Sequence, residues 1–367
     1  LLSHFSLYIS PYGDVEVYVF GAWPSWLNYQ PLYPLIAGFL RRAISVEVLY
    51  WFNVVLYLAA ICVAWRVGRK LFPLGGYMIC AMLVLNLRAY LYIANLLTEI
   101  PNLFLFFATA LALLQWRVEA SSTRLTLQTA TICALLIAVS LTREPNALAN
   151  ALLAIFVCFH PKEKLPQRTE LFVSCVVAFV FAFTYSSSAH REKSNVGLNF
   201  HTFIERACAR TKCPDAVFSN PDTPVMREHW QMQNTVSGIR DAFAKRGYEP
   251  FSLAYSGEMR KVYLRLLANA PTIYLRQVIR NWFDLMSDRT IAIYPEDTNL
   301  RTVASGLLLV MATISTSASI LAAAIAPAVL CIFAYRVANR NASILEVWFG
   351  GWVVCCLTAS LLLFAAS

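Results

Sequence analysis

Four acids and one arginine stand out in a chain that carries few charges. Asp14 and Glu16 alternate with valines in Pro11-Tyr-Gly-Asp-Val-Glu-Val-Tyr18. Glu99 stands in Thr98-Glu-Ile-Pro101, and Arg143 and Glu144 stand in Thr142-Arg-Glu-Pro145. Two carboxylates that close can supply a general base beside an acid that orients a hydroxyl. Their oxygens also suit a shared divalent cation, Mg or Mn. An arginine at a helix start opposes the helix dipole, so Arg143 wants an anionic partner, either Glu99 or a ligand phosphate. Each residue has a structural alternative. Thr, an acid and a Pro in the first turn are ordinary helix-start chemistry for Glu99 and Glu144, and Asp14 and Glu16 fit solvated loop acids. The five histidines form no metal box; His201 and Glu205 are four apart, and surface positions are expected for both. No P-loop, G-x-G-x-x-G, G-x-S-x-G or H-E-x-x-H occurs.

The elements that must position these residues follow from composition. Hydrophobic residues make up 58% of the 367 and charged ones 14%, against roughly 25% charged in soluble domains. That leaves too little polar surface to cover a soluble globule. Apolar runs at 46–65, 74–87, 100–116, 125–141, 147–159, 171–184, 303–334 and 343–366 predict about eight α-helical spans. The fold class expected is all-α, a polytopic transmembrane helical bundle. Arg66, Arg69, Lys70, Arg117, Arg124, Lys162, Lys164, Arg168, Arg336 and Arg340 fall in alternate loops, which the positive-inside rule makes cytoplasmic. The acids and Arg143 then share the outer face, and 185–301 lies outside. Residues 31–43 are too short to span and are expected to lie in the outer interface, amid aromatic residues. A first helix is expected to be missing ahead of residue 1. The predicted organisation is a core over 1–184, with its first outside loop at 1–45, an extracytoplasmic segment over 185–301 and terminal helices over 302–367.

Within the outside segment, 223–230 and 257–285 read as helical, with a break or restart at Pro271. Beyond Pro271, Tyr274, Val278, Trp282 and Leu285 recur at helical spacing, with Arg276 and Arg280 on another face. Such a helix suits a membrane surface or packing on the bundle. Cys208 and Cys213 are a disulfide candidate in an oxidising compartment, although two thiols can be close without bonding. The sequon at Asn341 falls on the cytoplasmic side, which favours a bacterial or archaeal plasma membrane. The net charge of +9 is mostly topological and needs no nucleic-acid partner.

The order of these motifs resembles the polytopic, lipid-donor glycosyltransferases of the GT-C type, in the protein-mannosyltransferase and aminoarabinose-transferase-like families. Asp14-Val-Glu16-Val-Tyr18 ahead of Tyr29-Gln-Pro31-Leu-Tyr33-Pro34 is similar to the family's first outside loop and interfacial helix. Residues 54–72, ending in Gly68-Arg-Lys-Leu-Phe72, resemble its second span, and the Glu99 and Arg143 motifs its later outer-face motifs. The resemblance covers about the first half of the chain; the later half departs in its short outside segment and fewer following helices. It implies transfer of a sugar from a polyprenyl-phosphate donor to a lipid, protein or polysaccharide acceptor. Asp14 would be the catalytic carboxylate that deprotonates the acceptor hydroxyl, with Glu16 orienting the acceptor or sharing a metal. Glu99, Arg143, Glu144 and Tyr33 would bind substrate. Two other classes compete: a transporter or flippase of lipid-linked sugars, and a non-catalytic membrane scaffold.

Overall fold

The computed structural model describes residues 31–71, 73–85, 93, 99–115, 122–159, 168–189, 196–209, 213–218, 252–287 and 350–356, with isolated positions between 310 and 335. Among the described residues every regular element is helical, an all-α arrangement. The helices are α1 (Leu32–Ala43), α2 (Val46–Leu71), α3 (Gly75–Val84), α4 (Glu99–Gln115), α5 (Ser122–Ser140), α6 (Glu144–Phe159), α7 (Arg168–Ala189), α8 (Val196–Ala209), α9 (Asp215–Phe218), α10 (Leu253–Asn269) and α11 (Pro271–Ser287). Two compact units result: the described residues up to Tyr185 with those of 286–359, and those of 186–285.

The first unit is held by apolar stripes at helical spacing. Leu171, Cys175 and Ala178 on α7 recur every three to four residues. They belong to one buried cluster with Ile132, Leu136 and Val139 of α5, Leu153 and Val157 of α6, and Leu113 of α4. Trp352, in the helical stretch 350–356, is fully buried in the same core and stacks on Phe106 at 6.0 Å. Along α2 the buried positions include Ala60, Ala64 and Gly68, which are small enough for α3 to close in. A Cβ on Gly68 would meet the Gly75 carbonyl at 2.5 Å.

Lengths differ from expectation in places. The helix begun at Val46 continues through the basic residues to Leu71, whereas α3 covers only ten residues of the 74–87 run. Among the described residues, Glu47–Leu71 is the one helix long and apolar enough to cross a membrane, with mean hydropathy 2.0. The other apolar helices, such as Glu99–Gln115 and Thr169–Tyr185, run 10–17 residues.

The second unit packs α8, α9 and α10 around Phe203, Ile204, Val217, Tyr255, Met259, Val262 and Leu266. Helix α10 is capped by Ser252, whose Oγ accepts from the Tyr255 N–H at 3.2 Å. It ends at Ala270, and Pro271 opens α11, the position where a missing N–H costs nothing. The restart expected at Pro271 is therefore present. Residues 223–230, expected to be helical, lie outside the described residues.

Candidate functional site

The site starts with a backbone exchange. The first N–H groups of a helix and the last carbonyls of another lack intrahelical partners. The Leu32 N–H at the start of α1 donates to the Leu141 carbonyl, just past the end of α5, at 3.0 Å. This bond pins the entry of α1 to the α5–α6 turn. Tyr33, the next residue, is fully buried, and its hydroxyl accepts from Asn53 Nδ2 of α2 at 3.1 Å. Burial raises the Tyr33 phenol above its usual range; the Asn53 bond opposes that shift and the Glu99 carboxylate adds to it.

Glu99 opens α4, and its Oε1 lies 3.2 Å from Nη1 of Arg143, in the turn between α5 and α6. Their side chains are 23% and 41% exposed. The other carboxylate oxygen, Glu99 Oε2, is buried with no hydrogen-bond partner among the described residues. A guanidinium carries five N–H donors, so Arg143 keeps donor capacity for an anion beyond its bond to Glu99.

Asparagines fix this turn. Asn146 Nδ2 donates to Asn102 Oδ1 on α4 at 2.6 Å and to the Val139 carbonyl at 2.8 Å. Thr142 Oγ1 lies 3.0 Å from Asn102 Oδ1 and 2.6 Å from the Val139 carbonyl. The Asn146 N–H donates to the Arg143 carbonyl at 3.1 Å. One turn deeper, Asn150 Nδ2 reaches Ser140 Oγ and the Leu136 carbonyl. Thr142, expected as the cap of the following helix, instead faces back onto α5, because α6 begins at Glu144 and Arg143 takes the cap position.

Of the residues predicted from sequence, Tyr33, Glu99 and Arg143 thus converge at one end of the first unit. Glu144 is the first residue of α6, but its side chain lies outside the described ones. Asp14 and Glu16, the expected catalytic and metal-binding pair, lie outside the described residues. Among the described residues no three His, Cys, Asp or Glu side chains form a metal-binding group. Asn53, Asn102, Asn146 and Asn150 were missed as site residues. The signal was present: amides inside apolar helical runs, with Asn146 and Asn150 one turn apart, mark interhelical hydrogen bonds.

In the second unit Cys208 and Cys213 form a disulfide. His201 corrects an expectation: it is fully buried instead of exposed. It sits on the face of α8 that also carries Ile204 and Cys208, so the packing stripe draws it inward. Its Nδ1 is hydrogen-bonded to the Tyr255 hydroxyl, and its Nε2 is buried without a partner among the described residues. Burial lowers the ring pKa to about 4.

In comparison with known proteins, the sequence matches no family model, no curated protein and no solved structure.

Proposed function

We propose that this protein is a polytopic membrane glycosyltransferase of the lipid-donor type, moving a sugar from a polyprenyl phosphate to an acceptor on the extracytoplasmic side. The observation that carries this reading is the convergence of Tyr33, Glu99 and Arg143 at one end of the first unit. It combines a cation with spare donors, a carboxylate oxygen without a partner among the described residues and a helix entry anchored beside them. Phosphate recognition needs the first, and sugar or acceptor hydroxyls suit the second.

The membrane part of the reading rests on apolar surface. Trp51, Val55 and Leu58 on α2 are exposed, as are Val173, Val177, Val180 and Phe181 on α7. Val310, Ile314, Ile320, Leu321, Ile332 and Tyr335 are likewise helical and exposed. Apolar area on this scale suits lipid better than water. The proposed bundle has about eight spans, with the basic loops cytoplasmic and α1 in the outer interface, its Leu35 and Phe39 exposed.

In the proposed reaction the bond between the anomeric carbon and the phosphate oxygen breaks, and a bond to the acceptor oxygen forms. Asp14 takes the acceptor proton as general base. Arg143 stabilises the charge gathering on the departing polyprenyl phosphate. Glu99 holds Arg143 in place and presents Oε2 to a hydroxyl.

The test is sugar transfer by the full chain in lipid nanodiscs, supplied with a panel of polyprenyl-phosphate hexoses and pentoses. Arg143→Ala and Asp14→Asn are each expected to lower transfer by about a hundredfold or more, the size typical for loss of a charge-stabilising or proton-accepting group. Undiminished transfer in both variants, or none from any donor by the unaltered chain, would overturn the assignment. Mass spectrometry of membrane lipids from cells lacking the protein names the donor as the polyprenyl-phosphate sugar that accumulates.

A further inference from the structure

Helix α11 presents two faces of different chemistry. Inward, Tyr274 joins the aromatic cluster of Phe203 and Tyr263, with its hydroxyl 2.7 Å from that of Tyr263. Gln277 and Asn281 are buried on the same side, Gln277 Nε2 donating to Asn281 Oδ1 at 2.7 Å. Outward, Leu275 is 58% and Ile279 49% exposed, and Arg276 and Arg280 are exposed beside them. These four residues follow one another at i, i+1, i+4 and i+5, which makes a single stripe along the helix. The one acid of α11 is Asp284, four residues past Arg280, and neither arginine is ion-paired within the described residues.

We propose that this stripe of α11 docks on an anionic phospholipid surface, with Leu275 and Ile279 entering the acyl boundary and Arg276 and Arg280 pairing with headgroup phosphates. The aliphatic side chains alone would suit many partners. Their interleaving with two guanidiniums, against the single acid Asp284 at the far end of the helix, selects a surface that is apolar below and anionic above. The chain also keeps α11 near a bilayer. Only fifteen residues lie between Ser287 and the apolar run at 303, a reach of at most about 55 Å when fully extended. The inference rests on the membrane reading above but not on the reaction assigned there.

The experiment is hydrogen–deuterium exchange of the full chain in two kinds of nanodisc, phosphatidylcholine alone and phosphatidylcholine with about 30% phosphatidylglycerol. Exchange over 271–287 is expected to slow roughly tenfold in the anionic discs. Arg276→Glu with Arg280→Glu should abolish that protection, and Leu275→Ser with Ile279→Ser should weaken it. In both double variants α8 and α10 should keep their protection, which shows that the unit still folds. Equal exchange in the two discs, or protection that survives charge reversal, overturns the docking surface while leaving the membrane reading intact. Protection that rises with protein concentration in both discs assigns the stripe to a second copy of the chain and also overturns it. A chain that incorporates into neither disc brings down both readings.

Discussion

Arg143 and Glu99 form a pair whose geometry suits two roles, the proposed phosphate site and a structural clamp, and stability measurements separate them. With Arg143 41% and Glu99 23% exposed, the ion pair is solvent-screened and contributes about 1 kcal/mol or less to folding. Arg143→Ala should therefore leave thermal unfolding in detergent nearly unchanged while transfer collapses. A large drop in melting temperature would make the pair a structural clamp. His201 behaves in the opposite way, because it is fully buried. Its ring pKa falls from 6.5 to about 4 on folding, so the folded state binds fewer protons than the unfolded state between those values. Its contribution is fully present above pH 6.5 and is lost progressively as pH falls towards 4, on the order of 3 kcal/mol in all. Exchange over α8 and α10, corrected for intrinsic rates, should speed up across that window. In His201→Phe this acid-induced loss should be smaller; an unchanged pH profile would remove His201 as its source.

Two glycines make opposite predictions at the level of helices. Gly68 lets α2 and α3 meet backbone to backbone, and a methyl group there would meet the Gly75 carbonyl at 2.5 Å. Gly68→Ala should cost about 1–3 kcal/mol by forcing the helices apart. Gly257, in the first turns of α10, has open space where a side chain would begin, with nothing within 4 Å of the Cβ position. Gly257→Ala should stabilise by about 0.5–1 kcal/mol through helix propensity. Denaturant unfolding of both variants decides the matter: equal effects would mean that α2 and α3 are not in close contact. Helix α1 illustrates a different dependence. Its start is held by the Leu141 carbonyl and by Tyr33 against Asn53, so its orientation is set by elements distant in sequence.

For the molecule as a whole, the sidedness of the proposed bundle is open to direct measurement. The network of Tyr33, Glu99 and Arg143 gathers beside the first turns of α2, whereas Arg66, Arg69 and Lys70 close its last turns. Opposite ends of a helix of 26 residues are about 39 Å apart, enough to separate two membrane faces. Reporter domains fused within 116–121 or 160–167 should read as cytoplasmic, and fusions within 219–251 as extracytoplasmic. The reverse pattern would place the site on the cytoplasmic face and remove an extracytoplasmic donor from consideration.

What the sequence determined by itself was the kind of element and the neighbourhood of the charges. Apolar run length and period are local properties, so the helical class and the restart at Pro271 could be read directly. The helix-start motifs around Glu99 and Arg143 were legible for the same reason. Which residues touch was decided by tertiary structure. An isolated asparagine says only that a partner is needed, and its identity, such as Asn146 on Asn102 and Val139, depends on how α4, α5 and α6 pack. The same holds for His201, polar in type but buried by the stripe it shares, and for Gly68, whose use appears only when a second backbone lies against it. Hydrogen bonding and close packing join residues far apart in the chain, and hydrophobic periodicity carries no record of those pairings.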